Sequence, residues 1–271
     1  TVCAGAGAVR HGCGPALGGG LREGYLMGML SSFANPHRFL ALSNWLAPLF
    51  YALGAALIAW GLWQGLWMVP KDEYQGGDIM RVMFIHVPAA WLAMASYSAM
   101  AVASFIWFIW RHELADIAAK AIAPLGATWT ALCLATGSVW GKPTWGTWWQ
   151  WDDARMMSVL FLLFLFLGYM ALRAAMDSRQ KAARAGAILA MVGGLNVPLI
   201  KFSVDMFTSL HQDSSVITSE GPKMAAVYLW PLLVSGLGHS LLFGALVMTL
   251  MRAEIWARRA ARQRARLLAG A

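Results

Sequence analysis

The sequence predicts an all-α integral membrane protein with six transmembrane helices, both termini cytoplasmic, and a tryptophan-rich segment facing outward between spans three and four. Three observations predict this class. Of 271 residues, 59% are hydrophobic and only 13% charged, about half the charged share of a soluble domain. The mean hydropathy is +0.56. The apolar residues also gather in runs of roughly 18 to 25 instead of following an amphipathic period. Soluble enzymes and nucleic-acid-binding modules are excluded on these grounds. The net charge of +8 is read as membrane topology, not as a nucleic-acid surface, because the basic residues lie mostly between and after the apolar runs.

Residues 1–34 are read as a disordered or non-native extension. The first 26 residues, rich in Gly and Ala and opening on Thr1, lack the continuous apolar core of a signal peptide. A natural start near Met27 or Met29 is the other reading. Spans follow at about 43–66, 85–110, 121–140, 156–172, 185–200 and 225–251, each able to cross about 30 Å of hydrocarbon with modest extension of the fourth and fifth. Fifteen of the 21 Lys and Arg residues fall on the side that holds both termini, and six on the other. The positive-inside rule therefore places both termini in the cytoplasm. The outward intervals are about 67–84, 141–155 and 201–223. The membrane domain is taken as 35–251 and the basic cytoplasmic tail as 252–271, whose arginines at 258–267 read as a topology anchor or lipid contact. Three cysteines, Cys3, Cys13 and Cys133, make no disulfide framework, and Cys133 reads as a buried hydrophobe.

The sharpest local feature is GSVWGKPTWGTWWQWDDAR at 137–155, with Trp140, Trp145, Trp148, Trp149 and Trp151 within twelve positions. An aromatic belt at the interface is the simpler reading. Five rings between glycines, beside Lys142, Asp152, Asp153 and Arg155, fit a platform for a flat apolar ligand better. In a helix, Trp145, Trp148, Trp149 and Asp152 would share one face, although Pro143 and Gly146 count against helicity at its start. An Asp just before span four also reads as a helix N-cap.

Two histidines fall on the same outward side: His86 in FIHVPAAW and His211 in FTSLHQDSS. Alone, each reads as a hydrogen-bonded wall residue. Beside an aromatic platform, two neutral imidazoles suit the axial positions of a haem iron, with Arg81 and Arg155 available for the propionates. Arg81 is otherwise a loop cation balancing Asp72, Glu73 and Asp78. His239 lies mid-span and reads as a neutral residue bonded to a neighbouring span, outside the site.

WGTWWQWD resembles the WWD signature of haem-handling proteins in cytochrome c biogenesis. The order HVPAAW, GKPTWGTWWQWD, NVPLIKFSVDMFTSLHQ is similar to the cytochrome c maturation protein C (CcmC, haem exporter protein C) family from about residue 35 to 251. The resemblance implies a multi-pass protein of the bacterial inner membrane that holds haem b at the periplasmic face, with the WWD segment presenting it and His86 and His211 as bis-histidine axial ligands. It implies no enzymatic reaction of its own beyond a lyase-like role in haem attachment. The implied partners are the periplasmic haem chaperone CcmE, the small membrane protein CcmD, the ABC transporter of CcmA and CcmB, and the lipid bilayer. One departure stands out. The family reads Trp-Asp-Ala-Arg, whereas this chain has Trp151-Asp152-Asp153-Ala154-Arg155; counting from the tryptophans selects Asp152, and counting back from Arg155 selects Asp153. A b-type cytochrome electron-transfer subunit and a transport pore are the competing classes. His211 in one outward interval and the tryptophan platform in another favour a haem that must leave over one clamped between spans, and the near absence of polar residues from spans one and four disfavours a pore.

Overall fold

The computed structural model describes residues 35–73, 76–207, 209–212, 215–216 and 218–270; the expectations for the N-terminal extension, Cys3 and Cys13 lie outside them. The described chain is helical. α1 is Pro36–Trp63, followed by a π-turn, Gln64–Met68. A 3-10 turn, Asp78–Val82, leads into α2, Met83–Trp110. α3 is Glu113–Trp145, α4 Ala154–Ala174, α5 Arg179–Gly193, α6 Asn196–Met206 and α7 Ala226–Ala269. Six helical stretches are long and apolar enough to cross a membrane: Pro36–Met68, Asp78–Trp110, Glu113–Trp145, Ala154–Ala174, Arg179–Met206 and Ala226–Ala269.

Four of the helical stretches overrun the apolar runs at both ends, the second only at its start and the sixth only at its end, mostly because the added turns carry polar residues that hydropathy discounts. The fifth span is two helices. Pro198 cannot donate to the Gly194 carbonyl, which accepts instead from Val197 N–H at 3.1 Å, and the helix tightens and breaks there. Asn196, buried at the break, donates to the Ser158 carbonyl of α4 at 2.9 Å.

α2 and α3 form the centre, with α4, α5 and α7 packed around them. Tyr97, Met100, Leu162, Phe166 and Tyr169 fill the space between α2, α4 and their neighbours, and all five are almost fully buried. α1 lies outside this group and packs chiefly on α7. Its buried residues are all small: Ser43, Ala47, Gly54 and Gly61. A Cβ on Gly238 would stand 2.7 Å from the Ile58 nitrogen, and one on Gly61 2.8 Å from Ser235, so these glycines permit backbone contact as small residues do between membrane helices.

At one end of the bundle, Asp116 of α3 binds Arg173 of α4 at 2.6 Å and Arg258 of α7 at 2.7 Å. Arg258 also reaches Glu254 at 2.7 Å and Glu113 at 3.4 Å, while Lys120 pairs with Glu254 at 2.8 Å. Arg258 is thus a buried strut within the bundle, and α7 continues without interruption past residue 251, so the tail expected at 252–271 is helical as far as Ala269.

Candidate functional site

The opposite end gathers the C-termini of α1, α3 and α6 and the N-termini of α2 and α4. α3 runs through Pro143 and stops at Trp145, where Gly146 takes φ 78° and closes the helix with its N–H on the Lys142 carbonyl. Of the two residues that counted against helicity, Gly146 ends the helix and Pro143 does not. Helicity continues through Pro143, and it does not extend to Trp148, Trp149 and Asp152, which follow Gly146 in irregular chain. Glycine suits position 146 because a left-handed φ of 78° costs a residue with a Cβ conformational strain that glycine avoids. Thr147 then folds the chain locally, its hydroxyl donating to the Trp149 carbonyl at 2.9 Å.

His86 stands on the first turn of α2, against α3. Its Nδ1 lies 3.1 Å from the Cys133 carbonyl and 3.0 Å from Thr136 Oγ1. A carbonyl only accepts, so Nδ1 carries the proton and Nε2 keeps its lone pair. The ring also lies against Gly137, where an added Cβ would stand 3.0 Å from Cε1. Trp140 meets it edge-on, with ring centroids 5.8 Å apart.

His211 repeats this arrangement from the loop after α6. Its Nδ1 is 3.2 and 3.4 Å from the two Asp153 carboxylate oxygens, which again fixes the proton on Nδ1 and leaves Nε2 as the basic nitrogen. Trp145 meets this ring at 4.9 Å. Burial, which disfavours the imidazolium, holds His211 below its ordinary pKa in spite of the attraction of Asp153; Arg155 acts in the same direction as burial. The last turns of α3 therefore supply one tryptophan to each histidine.

Asp153 organises the surroundings. It is buried, N-caps α4 by accepting from Met156 N–H at 2.8 Å, and accepts from Ser209 Oγ at 2.7 Å and Leu210 N–H at 2.9 Å. Burial alone would raise its pKa, but these donors outweigh it and hold the carboxyl below the usual range. Asp152 is exposed. Of the two neighbouring aspartates, it is Asp153 that the fold brings to the histidine. Asp153→Asn turns an amide N–H₂ toward donors and is expected to lower stability by about 1–3 kcal/mol, whereas Asp152→Asn is expected to change it by less than about 0.5 kcal/mol. Thermal unfolding of the two variants in detergent checks this, and equal shifts would refute the distinction.

Arg155, on the first turn of α4, donates through Nε to Ser203 Oγ at 3.1 Å and through Nη1 to the Gln212 carbonyl at 3.4 Å, beside His211. Arg81 is engaged elsewhere. Its Nη1 and Nη2 donate to the carbonyls of Leu66 at 2.8 Å and Val69 at 3.1 Å, and its Nε to Asp78 at 3.1 Å, closing the end of the first span.

Trp148 and Trp151 are 57% and 72% exposed, while Trp149 is half-buried, stands edge-on to Trp151 at 5.7 Å, and has a buried Nε1–H without a partner among the described residues. Such an orphaned donor has the chemistry to meet an acceptor on a ligand. Thr136, Ser203, Ser209 and Gly137 escaped sequence reasoning. Only Ser209, two residues before His211 in a Ser-Leu-His turn, carried a local signal. His239 is buried and held by Ser235, its Nδ1 2.7 Å from that carbonyl, within its own helix instead of across to a neighbouring span. Among the described residues no group of three or more His, Cys, Asp or Glu is arranged to hold a metal ion.

Fold and site define a multi-pass helical membrane protein that displays two oriented imidazoles within a tryptophan-walled surface at one end. The family profile described as CcmC, heme exporter protein C, matches residues 29–266. The chain is 49% identical to heme exporter protein C of Bradyrhizobium diazoefficiens over 85% of its own length and 86% of that protein. It is 41% identical to the Paracoccus denitrificans protein of the same name, covering 84% and 94%, and 40% identical to that of Escherichia coli K12, covering 82% and 89%. The chain belongs to the heme exporter protein C family.

Proposed function

We propose that this protein binds haem as cargo at the periplasmic face of the bacterial inner membrane and presents it for transfer to a periplasmic haem chaperone during c-type cytochrome maturation. The observation that carries the reading is the shared arrangement of His86 and His211: each holds Nδ1–H on an oxygen that only accepts and leaves Nε2 as a ligand. Haem iron, when bound, would be held by Nε2 of His86 and Nε2 of His211. Trp140 and Trp145 brace the imidazoles, and Trp148, Trp149 and Trp151 offer apolar surface and one unpartnered N–H to the porphyrin. Arg155, beside His211, is the better-placed propionate partner, since Arg81 is held by the carbonyls of Leu66 and Val69 at the end of the first span. The exposure of Trp148 and Trp151 suits delivery, because cargo held at the surface can be reached by an acceptor. CcmE is the proposed acceptor, with CcmD and the CcmA–CcmB transporter as the assembly around it and the membrane domain at 35–251 as the haem-handling unit.

Two experiments test this. The first is spectral and functional: replacing Trp145, Trp148 and Trp149 by Tyr is expected to lower haem per protein and haem delivered to the chaperone while residual haem keeps its bis-histidine spectrum. Each aromatic contact contributes about 0.5–1.5 kcal/mol beyond area burial. Wild-type values for both readouts would return these residues to an aromatic belt. The second is topological. Reporter fusions after residues 180 and 255 are expected to read cytoplasmic and one near residue 148 periplasmic; a cytoplasmic reading at 148 would place the site on the wrong face.

A further inference from the structure

At the end of the bundle away from the tryptophans, the first turn of α1, the first turns of α3 and one stretch of α7 enclose a half-open crevice of about 220 Å³. Its apolar walls are Pro36, Ile117 and Ile255, and its polar lining is His37, Glu113, Arg258, Arg259 and Arg262. Positions 255, 258, 259 and 262 recur at helical spacing, so one face of α7 is built into it.

The lining charges are not balanced. Glu113 is the one acid among the described lining residues. Arg258 is committed to Asp116 and Glu254. Arg262 approaches Glu113 only at 3.8 Å with its side chain 55% exposed. Arg259 has no ion-pair partner among the described residues, and its guanidinium is held 5.0 Å from the centre of the exposed Trp256 ring. α1 and α3 both start here, which adds the partial positive charge of two helix N-termini. The crevice opens where the apolar spans end, beside a tryptophan of the kind that seats at a membrane interface.

We propose that this crevice binds the phosphate headgroup of an anionic phospholipid. Arg259 and Arg262 take the phosphate oxygens, as planar guanidinium donors do, and Pro36, Ile117 and Ile255 take the start of the acyl chains. A basic cleft between transmembrane helices at the membrane surface is suited to an anionic lipid. A soluble anion would use the arginines and leave the apolar walls unfilled.

The test measures lipid retained by the full-length protein in mild detergent by native mass spectrometry. The lipids are dioleoyl phosphatidylglycerol and dioleoyl phosphatidylcholine, with inorganic phosphate as competitor. Wild-type protein is expected to retain phosphatidylglycerol in preference. A basic residue near an anionic surface is worth about a factor of five, so Arg259→Gln with Arg262→Gln is expected to weaken retention about thirtyfold. Arg259→Lys with Arg262→Lys, which keeps the charge, is expected to retain most of the preference and so separates loss of the site from misfolding. Arg264→Gln with Arg266→Gln, on the same helix but outside the crevice, is expected to bind as wild type. Equal retention of phosphatidylcholine, an equal loss in the Arg264 and Arg266 variant, or displacement by phosphate at the concentration at which phosphatidylglycerol binds would each overturn the proposal.

Discussion

His86→Ala and His211→Ala are each expected to abolish the low-spin bis-histidine spectrum of the haem-loaded protein, and His239→Ala to leave it unchanged. Removing an outer hydrogen-bond partner of a metal-ligating histidine costs about 10–100-fold in affinity, so loss of the ligand itself should exceed that range. Neither change removes a core residue: both rings lie at the end of the bundle, and His86 leaves the Thr136 hydroxyl still bonded to Leu132 at 2.7 Å. Added imidazole should restore the low-spin spectrum by entering the space left by the side chain, which separates a missing ligand from a damaged fold. The pH dependence has a definite sign. Because the pKa of His211 is depressed, its neutral, ligating form should persist below the ordinary imidazole value of about 6.5. An unchanged spectrum in either alanine variant would remove that histidine from the ligand pair.

Asp116→Ala is the substitution expected to cost most in stability. Its carboxylate, 7% exposed, joins Arg173 and Arg258, whose side chains are 10% and 8% exposed. Truncation would strand two buried guanidinium groups, and breaking a buried pair from one side costs about 3–5 kcal/mol. Arg258 retains Glu254 and Glu113, while Arg173 retains no acid among the described residues, keeping the Tyr169 hydroxyl at 3.1 Å and its ring at 5.4 Å, so the damage should centre on the contact between α3 and α4. Thermal unfolding in detergent checks this, with Glu220→Ala as the control, since Glu220 is exposed and its partner Lys223 is 3.6 Å away at the surface. An unfolding midpoint for Asp116→Ala equal to that of the control would refute it.

The six spans were legible because burying backbone in hydrocarbon demands long apolar helices, and such runs stand out in any sequence. Their ends were not. Glu113, Asp116 and Lys120 look like loop residues until Arg173, Arg258 and Glu254 are known to face them across 57 to 145 positions of chain, from the Arg173 contact with Asp116 to the Arg258 contact with Glu113. Within the candidate site, His86, His211 and the tryptophans were visible as residue types, whereas their bonding was not. Whether Asp152 or Asp153 meets His211 depends on where the chain turns after Gly146, and the carbonyls held by Arg81, those of Gly65, Leu66 and Val69, lie 12 to 16 positions before it. Local pattern encodes neither.

The glycine seam between α1 and α7 bears on the order in which the protein is made. Arg252 donates to Asn44 across 208 positions, so of the six described spans the first to be made docks on the last. At about 5–20 residues per second of synthesis, some 10–40 s separate the two. Throughout that interval Gly54 and Gly61 present a bare backbone face that only lipid or the insertion machinery can cover, while α2 to α5 are free to assemble. A nascent chain arrested before α7 should therefore hold its central helices together and leave α1 tethered only at its C-terminal end, where Arg81 holds the Leu66 and Val69 carbonyls, exposed to membrane quality-control proteases that the finished protein escapes.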